Sequence, residues 1–313
     1  MEFDLIARIR ARAAGRDDVV LGIGDDAALL QPPPGTQLAV SMDTLNAGVH
    51  FPPATAPADI GWKSLAVNLS DLAAMGATPA WCTLALSLPT AEAAFVEGFL
   101  DGFLALAQRH SVALVGGDTT RGPLSVCVAV HGFVSAGAAL RRDGARVGDD
   151  IWVTGSLGDA AAALAAMGAG AVSDRALRAR LDRPEPRIAA GRALAGLASA
   201  CIDVSDGLLA DLGHICRASG VGARIALADL PASPALSRFG AALRRPWQAC
   251  GGDDYELCFT APPTARAAIA DALLATQTPA TRIGAIIAGE GVLAVDEAGE
   301  PWAPARTGYA HFA

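Results

Sequence analysis

Aspartate recurs beside glycine, serine or threonine in five short segments. They are GIGDDA (Asp25, Asp26), SMDT (Ser41, Asp43), VGGDTT (Gly117, Asp118), DVSDG (Asp203, Ser205, Asp206) and GGDDYE (Asp253, Asp254). A further acid, Asp71, lies in NLSDLAAMG, where Asn68 three residues earlier shares its helix face. Taken singly, each is ordinary turn or capping chemistry. Repetition changes the weighing. Two carboxylates about 4 Å apart repel by about 4 kcal/mol at the effective dielectric of a partly exposed site. That is equivalent to a pKa shift of about three units, enough to protonate one of them near neutral pH unless a cation intervenes. Convergence of such acids therefore implies bound metal. All-oxygen donors, with no His or Cys set at metal spacing, point to Mg2+. Because Mg2+ takes one or two protein carboxylates and completes its octahedron with water and phosphate oxygens, the expected ligand is a polyphosphate.

The first of these segments also carries Gly22-x-Gly24-x-x-Ala27, close to a dinucleotide-binding fingerprint. That fingerprint needs a helix whose N-terminus receives pyrophosphate. Here the turn runs into ALLQPPPG, which leaves no room for one. Asp25 and Asp26 would repel a bare phosphate but attract Mg2+ bound to one, so the fingerprint is a false match.

These acids need a scaffold. The chain has 313 residues, 52% hydrophobic and 18% charged, the composition of a globular protein of about two domains. A net charge of -8 with no basic stripe argues against nucleic acid. No apolar run is long enough for a membrane span, and the opening residues lack an export signal. The six cysteines form no C-x-x-C pair and sit mostly in apolar runs, so structural zinc is not expected and a reducing cytoplasm is.

Strands and helices alternate over residues 1–137. An opening helix is followed by two strands, VVLGIGDDAALLQ and QLAVSMDTL, around a proline-rich turn. PADIGWKSLAVNLSDLAA is a helix ended by Gly76, AWCTLALSLP a strand and TAEAAFVEGFLDGFLALAQRH a helix. VALVGGDTTRG and LSVCVAVHGFV are strands. The polar, glycine-bearing SAGAALRRDGARVGDD marks a boundary, and residues 138–313 form a second α/β domain. Its elements include a strand, turn and helix over CIDVSDGLLADLGHICRASG, a turn and strand over GGDDYELCFTAP, and a terminal hairpin over GVLAVDEAGEPW.

The segments GIGDDAAL, SMDTLNAGVHF, WKSLAVNLSDLAAMGATP, VGGDTTRGPLS, RDGARVGDDIWVTGSLGD, DVSDGLLADLGHI and GGDDYELCF, with the closing TGYAHF, occur in this order. Together they resemble the thiamine-monophosphate kinases, a family of the aminoimidazole ribonucleotide synthetase-like group of ATP-dependent enzymes. NAGVHF and NLSDLAAMGA are the specific parts of the resemblance. The fold it implies is α/β (α+β) with two domains. The N-terminal one, for ATP, Mg2+ and dimerisation, forms a β-barrel across a homodimer, and the C-terminal one is α/β.

The implied reaction converts ATP and thiamine monophosphate to ADP and thiamine diphosphate. By the same similarity Asp26, Ser41, Asp43, Asp71, Asp118, Asp203 and Asp206 would hold several Mg2+ ions, with Met42 contributing at most its carbonyl. Gly117, Asp118, Arg142 and Ser205 would contact ATP, and His50, Asp253 and Tyr309 would line the thiamine phosphate site. Asp253 departs from the pattern, which usually has glutamate there. Phosphoryl transfer depends mainly on positioning and charge neutralisation. The acceptor phosphate is already ionised, so direct in-line transfer needs no strong general base and no covalent nucleophile.

Of the other polar residues, Lys63 is expected to pair with an acid on its helix surface. His131 is expected as a satisfied core or interface residue, and His214 as structural. Two other readings remain open: another ATP-dependent enzyme of the same group, or a non-catalytic Mg-nucleotide sensor. No cysteine precedes Cys82 and the end is GYAHFA, which sets the chain apart from selenophosphate synthetase and from the hydrogenase maturation factor.

Overall fold

A computed structural model describes residues 2–171 and 174–311; Phe312 of the closing segment lies outside them. The chain divides into two compact units, residues 1–72 with 77–137 and residues 73–76 with 138–313.

The first unit runs α1 (Glu2–Arg12), β1 (Val19–Leu21), β2 (Leu29–Leu30), β3 (Thr36–Asn46), α2 (Pro57–Ala74), β4 (Thr78–Leu88), α3 (Ala93–Arg109), β5 (Ala113–Arg121) and β6 (Ser125–Ser135). Its main sheet has the order β3-β6-β4-β5, with β4 and β5 parallel and the other neighbours antiparallel. The parallel pair needs a crossover, which α3 supplies. Strand alternation sends Val126, Val128 and Val130 of β6 to the buried face with Leu84 and Leu86 of β4. Helices α2 and α3 approach backbone to backbone. A side chain at Gly61 would begin 2.0 Å from the Phe99 carbonyl oxygen, and one at Gly102 would begin 1.7 Å from that of Ala58. Only glycine fits at this crossing.

The expected strand over VVLGIGDDAALLQ is interrupted. Val19 pairs with Leu30 and Leu21 with Leu29, and the glycine-aspartate turn bulges out between the two short strands. Val19, Ala28 and Leu30 then cover Trp81 and Phe133 at one end of the sheet's other face. No helix follows the turn.

The second unit runs β7 (Asp150–Thr154), α4 (Asp159–Gly168), α5 (Arg175–Asp182), α6 (Ile188–Leu194), β8 (Ala200–Asp203), α7 (Leu208–Ser219), β9 (Gly222–Ala226), α8 (Ala241–Cys250), β10 (Leu257–Ala261), α9 (Arg266–Ala275), β11 (Ala280–Ile287) and β12 (Gly291–Val295). Its sheet has the order β12-β9-β11-β7-β10-β8, antiparallel except for β12 against β9. The expected terminal hairpin reduces to one bridge, Val295 to Pro301, because β12 pairs along its length with β9. The core between sheet and helices includes Ile151, Val153, Ile202, Leu208, Leu212 and Ile215. None of the described helices is long and apolar enough to cross a membrane.

Candidate functional site

In the first unit β3 and α2 bring three of the expected residues together. Ser41 and Asp43 are two apart on a strand, and Asn68 and Asp71 three apart on a helix, so each pair shares a face. The Ser41 hydroxyl donates to the Asp71 carboxylate. The Asp43 N–H donates to Asn68 Oδ1 at 2.9 Å, while the buried Asn68 amide donates to the Ser64 carbonyl, also at 2.9 Å. Met42, between them, is 65% exposed, its side chain on the opposite face.

Asp118 is exposed on β5. The register runs Asp118–Ala85–Cys127–Thr44 across the sheet, so Asp118 falls in the row of Thr44, one step from that of Asp43. Asp26 is exposed in the turn, its N–H donating to the Asp25 carboxylate at 2.9 Å. The Arg10 guanidinium covers that turn: Nη1 lies 2.5 Å from where a Cβ on Gly24 would stand. Arg10 thus brings positive charge to a turn rich in carboxylates, a role invisible in the amphipathic pattern of α1.

His50 closes the turn after β3. Its Nδ1 accepts the Asn46 N–H at 2.9 Å, so the neutral ring carries its proton on Nε2. Lys63 is 2% exposed, not at a helix surface, and its ammonium donates to the His50 carbonyl at 3.0 Å. Buried rather than at the helix surface expected, Lys63 supports this loop. His131 is half-buried; its Nδ1 is buried with no hydrogen-bond partner, while the ring keeps a hydrogen bond with the Trp81 backbone. Burial lowers its pKa. His214 is exposed on α7 beside Arg217, whose guanidinium lies 3.0 Å from its Nδ1.

The second unit gathers residues far apart in sequence. Asp203 ends β8 at 4% exposure, and the loop after it carries Ser205 and Asp206. The Asp253 N–H donates to the Ser205 carbonyl at 2.9 Å, and the Tyr309 N–H to the Asp206 carbonyl at 2.9 Å. Two more bonds, Tyr255 N–H to Val204 O at 2.8 Å and Val204 N–H to Glu256 O at 2.7 Å, continue the pairing below. Segments around 205, 253 and 309 therefore meet through their backbones. Tyr309 is 51% exposed and packs edge-on against His311, with centroids 5.0 Å apart. Arg142 is exposed, its carbonyl accepting the Ser219 hydroxyl at 2.9 Å.

Asp211, unremarked in the sequence, organises this loop. One carboxylate oxygen accepts the N–H groups of Ser205, Asp206 and Gly207 at 3.1, 3.1 and 3.0 Å. Burial pushes its pKa up to about 7 against the opposing pull of those N–H groups, with Asp206 adding to the rise. An acid in the first turn of a helix that follows a glycine was the available signal.

Beneath Asp253 lies a buried ionic layer. Glu256, at 0% exposure, meets Arg187 at 2.6 and 2.5 Å, Arg180 at 2.7 Å and the Thr154 hydroxyl at 2.7 Å. Burial raises its pKa, but the Arg187 hydrogen bonds and charge, aided by Arg180, outweigh this and bring it below the usual value. Asp254 accepts the Gly158 N–H on both oxygens at 2.9 and 3.0 Å, and burial drives its pKa well up. Asp253 and Tyr255, on either side, are left-handed with φ of 68° and 51°. Such residues cost about 1–3 kcal/mol each and persist where surroundings fix them.

Among the described residues no three His, Cys, Asp or Glu side chains stand together as a ready metal site. The donors present are hydroxyl and carboxylate oxygens, the set Mg2+ accepts, and Mg2+ needs only one or two protein carboxylates when phosphate supplies the rest.

Residues 24–134 match the family described as AIR synthase related protein, N-terminal domain, and residues 146–296 match its C-terminal domain. The chain is 52% identical over 321 residues to thiamine-monophosphate kinase of Escherichia coli (strain K12), covering 100% of this chain and 98% of that protein. The crystal structure of thiamine-monophosphate kinase from Stenotrophomonas maltophilia K279a is similar with a TM-score of 0.90 at 56% identity, over 96% of this chain and 98% of that one. A structure of AaThiL complexed with AMPPCP and TMP has a TM-score of 0.78 at 30% identity, over 98% of this chain and 96% of that one.

Proposed function

Since the chain belongs to the thiamine-monophosphate kinase family within the AIR synthase related proteins, we propose that it makes thiamine diphosphate by direct in-line transfer from ATP. The observation that carries the reading to this chain's own residues is the meeting of Ser205, Asp206, Asp253 and Tyr309 through backbone hydrogen bonds. It gives the polar loops a fixed geometry suited to holding an anionic substrate pair. A phosphate oxygen of thiamine monophosphate attacks the γ-phosphorus of ATP, the bond to the β–γ bridging oxygen breaks, and ADP leaves. No side chain has to accept a phosphoryl group.

Asp26, Ser41, Asp43, Asp71, Asp118, Asp203 and Asp206, with the Met42 carbonyl, are the proposed holders of Mg2+. When bound, Mg2+ would neutralise charge on the phosphate oxygens. The chain's own contribution is placement. Asn68 fixes the β3 backbone at Asp43, Ser41 orients Asp71, and Asp211 holds the loop of Ser205 and Asp206. In this reading Gly117, Asp118, Arg142 and Ser205 contact ATP, and His50, Asp253 and Tyr309 contact the acceptor. The Nε2–H of His50 suits a phosphate oxygen, and the Tyr309 ring suits stacking on an aromatic heterocycle.

A homodimer through the first unit belongs to the same proposal. Leu38, Val40 and Met42 are 47%, 59% and 65% exposed on one face of β3, which is an edge strand. An apolar edge of this kind is an association surface unless something covers it, and a second copy is the occupant that the family reading supplies.

Incubation with ATP, Mg2+ and either thiamine monophosphate or thiamine tests the activity. Thiamine diphosphate should form from the monophosphate only, and absence of product would favour a sensor. In γ-labelled ATP without acceptor the protein should stay unlabelled; a covalent label would rule out direct transfer.

A further inference from the structure

We propose that Asp211 is a positioning residue that ties up the backbone of the 205–207 loop, so that the loop meets a nucleotide through the Ser205 and Asp206 side chains alone; this rests on the reading of that loop as part of the nucleotide site. The backbone entering a helix is where a phosphate ordinarily finds free N–H groups. Before α7 those groups are already spent. A single oxygen of Asp211, a residue 3% exposed, takes the N–H of Ser205, Asp206 and Gly207 at 3.1, 3.1 and 3.0 Å. The carbonyls are spent as well. That of Ser205 accepts the Asp253 N–H at 2.9 Å, that of Asp206 the Tyr309 N–H at 2.9 Å, and that of Gly207 the Asp211 N–H at 3.0 Å. Among the described residues, neither the Ser205 hydroxyl nor the Asp206 carboxylate has a hydrogen-bond or ion-pair partner.

Close packing keeps the loop in this state. A Cβ on Gly252 would stand 2.6 Å from the Ser205 carbonyl oxygen, and one on Gly308 2.9 Å from that of Asp206. Both neighbouring segments therefore reach the loop only because they carry glycine there. Asp211 supplies from within the anion that a run of N–H groups attracts. The Asp206 carboxylate repels a bare phosphate, which leaves the Ser205 hydroxyl as the loop's remaining donor. Phosphate is thus drawn to the loop through a divalent cation on Asp206 rather than by the backbone. Buried as it is, Asp211 acts through its neighbours and touches no substrate.

Calorimetry with AMPPCP and Mg2+ on the full chain tests this without turnover. Asp211→Asn keeps an oxygen acceptor in place and should bind within about three-fold of wild type. Asp211→Ala releases the loop and should bind at least roughly ten-fold more weakly, since one hydrogen bond is worth up to about that much and three are lost. Formate, a carboxylate small enough for the vacated space, should restore binding in Asp211→Ala and leave wild type unmoved. Equal affinity of all three proteins, equal loss in both variants, or a loss that formate does not reverse overturns the inference. Hydrogen exchange on wild type decides even where a variant does not fold. The Ser205, Asp206 and Gly207 amides should be protected before any nucleotide is added; protection that appears only with Mg2+ and AMPPCP shows a backbone open to ligand and overturns the inference too. Wild type that binds no AMPPCP overturns instead the reading of this loop as a nucleotide site.

Discussion

The Ser41 hydroxyl on β3 donates to the Asp71 carboxylate on α2, beside the point where Asn68 takes the Asp43 N–H. A strand and a helix are thereby joined by polar side chains. Asp71→Asn keeps an acceptor for Ser41 but removes a charge. Turnover should fall at least about a hundred-fold, the scale of losing a group aimed at developing charge, while circular dichroism and melting temperature stay close to wild type. Near-normal turnover would remove Asp71 from the proposed Mg2+ holders.

Gly117 and Gly116 are adjacent on β5 but should respond differently to alanine. A Cβ on Gly117, whose φ is 150°, would stand 1.9 Å from the Leu84 carbonyl oxygen, against 3.9 Å to a Thr83 methyl for Gly116. Gly117→Ala should push β5 away from β4, lowering both melting temperature and activity. Gly116→Ala should leave the melting temperature within a few degrees. Equal behaviour of the two variants in thermal melts would contradict this packing.

Glu256→Gln should be severe for stability. It strips the counter-charge from Arg180 and Arg187 in a layer where the carboxylate has no exposure. Breaking one side of a buried pair costs about 3–5 kcal/mol, measurable as a shift in urea midpoint. A loss below about 1 kcal/mol, the value of an exposed pair, would show that the layer is wet.

His110 at the end of α3 gives a pH signature. Burial, with Arg109 adding to it, lowers its pKa to about 4, and its Nε2 is buried without a partner. The folded state favours the neutral ring, so its contribution is present above the ordinary histidine pKa of about 6.5 and is lost as pH falls from there toward 4. His110→Phe should flatten the stability profile across that window. Parallel profiles for variant and wild type would assign the acid limb to other groups.

Val40→Lys places a charge on the exposed apolar row of β3. If that row meets a second copy, sedimentation should show dimer giving way to monomer, with monomer melting cooperative. An unchanged species would move the association surface elsewhere.

The parts of this architecture legible from sequence were those with short-range periodicity. Asn68 and Asp71 read as one helix face, and LSVCVAVHGFV read as a strand. The turn at Gly22 and Gly24 did not read as a break, because apolar residues continue on both sides of it. β11 was unread, carrying Gly284 in its interior, and α8 was unread, carrying Pro246 in its second turn. In the candidate site, the acids announced themselves by type. Their grouping did not, because Asp253 to Ser205 and Tyr309 to Asp206 are backbone bonds across long separations, and any residue can make them. Asp211 was hidden for the opposite reason: a helix-start acid is so common that its three N–H partners leave no mark.

The Tyr309 bond to Asp206 also bears on how the molecule is made. A chain growing from its N-terminus lays down β8, α7 and the Asp253 turn well before residue 309 emerges. The segment that meets Asp206 is therefore added after most of the second unit's strands have been made. Competence for chemistry would lag behind competence for folding, so a truncated translation product could be compact, protease-resistant and inert.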